Sequence, residues 1–457
     1  MTDSKKHHRL DSANSSDSSK YRKRQKKQNK IEKPEDPKDP KEVYYESNGL
    51  QRIHPYFHNF ATYAKGRWVG RTVFEVFSKE FRDRPVDYYL KAIKQGLIEI
   101  NGQRVDKDTI VRNSDIVTHY IHRHEPPVTL QPLGIVENIK DGLLLVDKPG
   151  SIPVHPTGRY NFNSVIKILQ IKHGYSSLYP VNRLDRLTSG LMLVGLNPDV
   201  ARRMERDLTS HRIQKEYICK AKGVFPRGKI VCDQPIRVVA HKLSLNCVDP
   251  KDGKPSLTEF ELLSTDGTHS IVYCRPKTGR THQIRVHLQF LGYPIANDPL
   301  YCNREVWGES LGRNGVFPKY DKNLSDNKDE DKGKPEKEES QKAADLSETR
   351  PKMSGQRDAD NIEPWVDLVK RMEEWKTKQE LIEQISNSVD TQGVPRVCDK
   401  CTDPVLPDPK PDELCIWLHA WRYSGPGWSY ETPLPEWANE AKQHIDRVKY
   451  IPDKSEP

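Results

Sequence analysis

Apolar and polar positions change rhythm several times along the chain. Over residues 88–95 apolar positions recur at helical spacing, and Gly96 stops the pattern. "LIEI" then alternates as a short strand, and Asn101-Gly102 is the strongest short-range hairpin signal. A second strand pair follows and ends at Pro126-Pro127. "DGLLLVDKPGSIPVHPTGRY" (residues 141–160) predicts a buried strand and then a loop punctuated by proline and glycine. From there to about residue 302 short strands alternate with a few helices, and "KEYICKAKGVF" alternates as a half-buried strand does. "RPKTGRTHQIRVHLQFLGYP" (residues 275–294) predicts a helix with Thr281 available as its cap and Gly292-Tyr293-Pro294 closing it. Ile284, Leu288 and Leu291 form its buried stripe, and His282, Arg285 and Gln289 share another face.

The rhythm fails between residues 303 and 397. "DKNLSDNKDEDKGKPEKEESQKAADLSETRPK" is charged and low in complexity, a composition that does not pack. Beyond it Trp365, Leu368, Val369, Met372, Trp375, Ile382 and Ile385 recur at helical spacing, which predicts one amphipathic helix docked on the core. Core-type residues return in "LCIWLHAWRYSGPGWSYETPLPEWA", so the middle segment reads as an insertion ahead of the last strands of one domain.

Composition adds a tail. The chain has 457 residues, 34% hydrophobic and 30% charged, which is poor in core formers for a single globular unit. Lysine and arginine total 74 against 65 acidic residues, a net +9. The first 30 residues hold ten basic and three acidic residues, so +7 of that excess lies in a tail around "RKRQKKQNK". Net charge therefore supports nucleic-acid binding only weakly for the folded part. Eight cysteines without an apolar leader read as reduced intracellular thiols, and no apolar run is long enough for a membrane span. The tail's acidic residues argue against a mitochondrial presequence, so the expected compartment is the cytoplasm or nucleus rather than the mitochondrion.

Candidate chemistry concentrates in "VNRLDRLTSGLMLVGL" (residues 181–196). Asp185 stands between Arg183 and Arg186 at the lip of an apolar strand. A solvated salt-bridge loop and a catalytic carboxylate both fit that trio. The neighbouring segments decide. "RLDRLTSG", "KEY" and "TGRTHQIRVHLQFLGYPIANDPLY", in that order after "VDKPGSIPVHP", resemble the RluA-type family of pseudouridine synthases over residues 141–301 and the closing "LHAWRY…PLPEW".

The resemblance implies an α+β fold, the pseudouridine synthase fold, with a mixed, largely antiparallel central sheet. It implies a reaction that needs no cofactor or metal. It makes Asp185 the catalytic aspartate, Tyr217 the active-site tyrosine and Arg285 the arginine paired with the aspartate. Arg183 becomes the residue entering the RNA stack as the target flips out, with Arg186, Arg280 and His282 beside it as RNA contacts. Asn182 departs from the histidine that many bacterial members carry there. These residue types suit the chemistry. An ionised carboxylate can attack or stabilise an electron-poor sugar carbon, and a guanidinium keeps it ionised. A tyrosine can stack on a base and pass a proton. A stacked target base must leave its helix to be reached.

The helix and hairpin of residues 88–123 resemble the S4-type RNA-binding module, with Lys91 and Lys94 on the helix as RNA contacts. The expected organisation is a disordered basic tail (1–45), an S4-like module (46–127), a catalytic domain (128–302 and 398–440), a low-complexity insertion with one helix (303–397) and a C-terminal tail (441–457). "IPVHPTGRYNFNSV", "VNRLDRLTSG" and "LHAWRYSGPGWSYETPLPEWA" bring the resemblance closer to the eukaryotic branch that modifies uridine 32 in tRNA anticodon loops. A relative in that branch carries a zinc deaminase, but the H-x-E such an enzyme needs occurs nowhere in this chain. Cys398 and Cys401 form half a zinc site, and Cys415 with His419 could complete it only if a strand did not hold them about 13 Å apart. The expected partner is RNA, most naturally tRNA, and the expected state is a monomer. The competing class is a non-catalytic RNA-binding protein that keeps this fold for folding tRNA.

Overall fold

The described chain forms two compact units, a smaller one of residues 39–42 and 54–124 and a larger one of residues 43–53 and 125–448. The computed structural model describes residues 39–81, 84, 86–138, 142–317, 365–387, 398 and 408–448. The basic cluster of residues 22–30, the low-complexity part of the insertion, Cys401 and the far C-terminus lie outside the described residues.

Strands β1 (Tyr44–Ser47) and β2 (Leu50–Ile53) form a hairpin. The smaller unit follows, with β3 (Tyr56–Tyr63), helices α1 (Val73–Glu80) and α2 (Val86–Lys94), and β4 (Ile98–Ile100), β5 (Gln103–Arg104) and β6 (Ile116–Arg123). Its sheet runs β3-β6-β4-β5, and Phe77, Tyr89, Ile93, Ile98 and Val117 make its core. Asn101 and Gly102 both have positive φ, as the hairpin signal requires. A capping box between Thr72 and Glu75 starts α1.

The β1–β2 hairpin straddles the boundary expected between a disordered tail (1–45) and the S4-like module (46–127), and belongs instead to the larger unit. Its edge pairs with β7 (Val128–Thr129), and the Tyr44 hydroxyl donates to the Phe162 carbonyl at 2.9 Å. The larger unit continues with β8 (Gly134–Asn138), β9 (Leu143–Lys148), α3 (Val165–His173), β10 (Tyr179–Pro180), β11 (Ser189–Gly195), α4 (Pro198–Thr209) and β12 (Gln214–Lys222). Then come β13 (Lys229–Cys232), β14 (Ile236–Ala240), β15 (Leu245–Val248), β16 (Thr258–Thr265), β17 (His269–Pro276) and α5 (Gln283–Phe290). Helix α6 (Trp365–Asn387), β18 (Leu418–Gly425), β19 (Trp428–Glu431) and α7 (Lys442–Val448) complete it.

The central sheet runs β13-β16-β17-β12-β18-β11-β9-β8. Every neighbouring pair on that path is antiparallel except β11 and β18, which run parallel through Ser189↔His419 and Gly190↔Ala420. This is the mixed, largely antiparallel sheet that the motifs implied. Gly190 explains the small residues after Asp185. Its φ is 110°, and a Cβ there would lie 2.2 Å from the Ala420 carbonyl oxygen, so only glycine lets β18 approach.

Two stretches pack more tightly than their composition foretold. The insertion begins as core, because Val306 and Trp307 are fully buried, and α6 docks there through Leu368 and Met372. Arg371 on α6 donates through Nε to the Val306 carbonyl at 2.9 Å. The span expected to be a tail from residue 441 contains α7, and Ile445 on it, with Ala441 just ahead of it, buries against Tyr273 and Trp421.

Candidate active site

The parallel seam of the sheet is where the loops diverge, and a cleft of about 590 Å³ opens beside it. Asp185 sits in the loop between β10 and β11. That loop is fastened by the Val181 N–H to the Leu193 carbonyl (2.9 Å) and the Thr188 N–H to the Asp185 carbonyl (3.1 Å). Below it Lys148, fully buried, donates to the carbonyls of Pro149 (2.8 Å), Ile152 (2.9 Å) and Arg186 (3.1 Å). Burial and the nearby Arg186 push its pKa down to about 7, against attraction from Asp185 and Asp147. Three acceptors match the three N–H groups of the charged form.

Tyr217 reaches the same cleft from β12. A bulge between Glu216 and Tyr217 shifts the pairing so that Tyr217 lies opposite Ala420, the residue that also pairs with Gly190. Glu216, one residue earlier, is buried with Arg422 and Tyr273, and this network pins the bulge from behind. The Tyr217 hydroxyl lies 2.9 Å from that of Tyr423, and Tyr423 accepts from the Asn182 amide at 3.2 Å. Burial pushes the Tyr217 phenol up to about 12, so its proton stays on at neutral pH.

Arg285 comes from α5, all eight residues of which are buried. It donates through Nε to Asp298 Oδ2 (2.7 Å) and through Nη2 to Asp298 Oδ1 (3.0 Å), a bidentate pair, and through Nη1 to Asp185 Oδ2 (3.2 Å). Burial works against the charge of Asp185, but His282 and Arg285 outweigh it and hold the carboxyl below the usual carboxylate range. A third of the Asp185 side chain stays open to the cleft. Such an arrangement can attack or stabilise an electron-poor carbon brought to the cleft floor.

Of the residues singled out from sequence, the structure brings Asp185, Tyr217, Arg285, His282, Arg183 and Arg280 to one cleft. Arg183 and Arg280 are exposed at its rim, and Arg280 donates to the Pro255 carbonyl at 3.1 Å. Arg186 is exposed but is not part of the cleft wall; its guanidinium lies 5.6 Å from the Tyr160 ring centre. Lys91 and Lys94 are exposed on α2 of the smaller unit.

His282 differs from its expected place. It precedes α5 in a left-handed conformation (φ 58°), without a Thr281 cap, so it does not share a helical face with Arg285 and Gln289. Gln289 is buried away from the cleft. His419 is no metal ligand, since Ser189 Oγ and Thr432 Oγ1 each lie 2.9 Å from one of its ring nitrogens.

Sequence reasoning missed Tyr423, Asp298 and Lys215. Lys215 lines the cleft, and burial lowers its pKa. The signal for Asp298 was present in "NDPLY", the only acid between Arg285 and Tyr301.

An ionised carboxylate, a protonated tyrosine and two rim arginines thus meet around one open cleft, a set of groups compatible with chemistry on a flipped base. The comparisons agree. A family model described as RNA pseudouridylate synthase matches residues 142–290. The chain is 41% identical over 418 residues to pseudouridylate synthase RPUSD2 of Homo sapiens, covering 87% of this chain and 75% of that one. It is 37% identical over 401 residues to the mitochondrial tRNA pseudouridine(32) synthase of Saccharomyces cerevisiae (85% and 77%). It is 30% identical over 437 residues to the tRNA pseudouridine(31) synthase of the same yeast (86% and 96%). The chain belongs to the RNA pseudouridylate synthase family, of the RluA type, and is an isomerase acting on RNA.

Proposed function

We propose that this chain converts uridine 32 of tRNA anticodon loops to pseudouridine through Asp185. The observation that carries the proposal is the asymmetry of that carboxylate. Oδ2 is held by Arg285, whereas no hydrogen bond engages Oδ1 among the described residues and a third of the side chain stays open in the cleft. The flipped uridine enters over the rim arginines Arg183 and Arg280, and Tyr217 stacks on its base.

The C1′–N1 bond breaks with its electron pair leaving on the uracil, while Asp185 Oδ1 bonds to C1′ or stabilises its positive charge. The uracil turns, C5 bonds to C1′, and the carboxylate is released. C5 loses a proton and N1 gains one, so the reaction is an isomerisation without a co-reactant. The smaller unit, with Lys91 and Lys94 exposed on one helix, serves as an S4-like module that reads tRNA shape. The choice of tRNA and of position 32 rests on the shared motifs and on a relative that carries that position in its name.

The test is Asp185→Asn. The amide is nearly isosteric but cannot act as an anionic nucleophile, while affinity rests on phosphate contacts elsewhere. Single-turnover conversion is expected to vanish with tRNA binding unchanged. Conversion near the wild-type rate would remove Asp185 as the catalyst, and wild-type protein that binds tRNA without forming pseudouridine would favour a tRNA-folding protein instead.

A further inference from the structure

We infer that His282 is a positioning residue for Asp185: a chain of hydrogen bonds from Asn246 through Tyr301 fixes the tautomer of His282 so that its Nε2–H is directed at Asp185 Oδ2 and leaves Oδ1 as the reacting oxygen. This deepens the proposal above and rests on Asp185 being the reacting carboxylate.

The donors settle the direction of the chain. Tyr301 Oη receives the Asn246 backbone N–H at 3.2 Å, and the Asn246 side-chain amide nitrogen, which can only donate, lies 3.4 Å from both Tyr301 Oη and His282 Nδ1. The Asn246 amide is oriented by a second bond to the Ser244 carbonyl at 3.1 Å. The single Tyr301 proton therefore points to His282 Nδ1, 2.9 Å away. Burial raises the Tyr301 pKa, which keeps that proton in place. With Nδ1 accepting, the proton of a neutral ring sits on Nε2. Burial and Arg285 push the His282 pKa down to about 4, against attraction from Asp185 and Asp298, so the ring is neutral at neutral pH. Nε2 lies 3.6 Å from Asp185 Oδ2, just beyond hydrogen-bond reach, and active-site contacts of this kind commonly tighten when substrate is bound.

Backbone and position agree with this role. The left-handed conformation at His282 turns its ring back from the start of α5 towards the Asp185 loop. His282 and Arg285 thus close on one oxygen from two sides, a neutral donor and a charged one.

A left-handed position alone is best served by glycine or asparagine. The donor role instead requires a group that reaches as far as Nε2, which glutamine supplies. The experiment measures kcat and KM on tRNA for His282→Gln, His282→Asn and His282→Gly, with Asp185→Asn alongside and thermal unfolding as a check of folding. The Gln variant is expected to retain kcat within a few-fold. The Asn and Gly variants should lose roughly 10–100-fold in kcat with KM unchanged.

A pH profile gives a second readout. Asp185 is faced by His282, Arg285, Lys148 and Tyr217, and His282 by Asp185, Arg285, Asp298 and Tyr301. Removing the imidazole leaves burial acting on the carboxyl with one stabiliser fewer, so the acid limb of kcat moves upward in the Asn and Gly variants. Wild-type kcat in the Gly or Asn variant would overturn the inference, as would a loss confined to KM, which marks an RNA contact. Activity in Asp185→Asn would instead overturn the parent proposal.

Discussion

Arg285 divides its guanidinium between two carboxylates, and the unequal division matters. Asp298, fully buried, takes two of its N–H groups and fixes the plane of the fork; Asp185, partly open, takes the third. The second carboxylate lets the charge stay buried without drawing Asp185 into a closed bidentate pair. The pH dependence follows with a definite sign. A carboxyl held below its ordinary value is ionised at neutral pH, so lowering the pH from neutrality should leave the single-turnover rate flat and reduce it only once the pH falls below the usual carboxylate range. A limb centred near neutrality would show that another group controls the step. Tyr217→Phe separates stacking from the hydroxyl. The ring survives, so tRNA affinity should hold, while the rate falls by roughly 100-fold or more if the hydroxyl moves the C5 proton. A normal rate of pseudouridine formation would assign Tyr217 to stacking alone.

At the scale of elements, the site is made by one parallel contact in an otherwise antiparallel sheet. Gly190, Ala420 and Tyr217 lie side by side across β11, β18 and β12, and the Asp185 loop is anchored at that row. Gly190→Ala places a methyl against the Ala420 backbone and demands a positive φ. It should cost at least roughly 1–3 kcal/mol and lower the melting temperature, with a larger loss of activity than any surface substitution on α4. An unchanged melting temperature would mean the seam can open at no cost. This junction also divides what could be read in advance from what could not. That Asp185, Tyr217 and Arg285 meet in one cleft was legible because each lies inside a contiguous motif. Tyr423 was not, because its contact with Tyr217 spans 206 positions and depends on how β18 enters the sheet. His282 was assigned to a helical face because its spacing fits one, yet the helix begins one residue later and the left-handed turn redirects the ring. The antiparallel sheet followed from the family resemblance, whereas α7 escaped notice because its buried residues are few.

At the scale of the whole molecule, we propose that both compact units and the basic N-terminal cluster take part in holding RNA. On that proposal the lysines and arginines of residues 22–30 would contact phosphates, which carry no sequence information. Deleting residues 1–40 should weaken binding to cognate and non-cognate tRNA alike and flatten the salt dependence of affinity, without changing the modified site. Charge reversal of Lys91 and Lys94 should weaken binding of substrate tRNA more than of a generic duplex, because a folded module can match RNA shape. A salt titration of both variants against both RNAs compares them. A tail deletion that moves the modified uridine would place recognition at the opposite end of the chain.

The central claim, that Asp185 isomerises a defined anticodon-loop uridine, is tested most directly by mapping pseudouridine at nucleotide resolution. Unmodified total tRNA is incubated with the purified wild-type chain and, in parallel, with Asp185→Asn. Pseudouridine is expected at position 32 with the wild-type chain and nowhere with the variant. Pseudouridine formed only at other positions, or at position 32 with both proteins, would contradict the account.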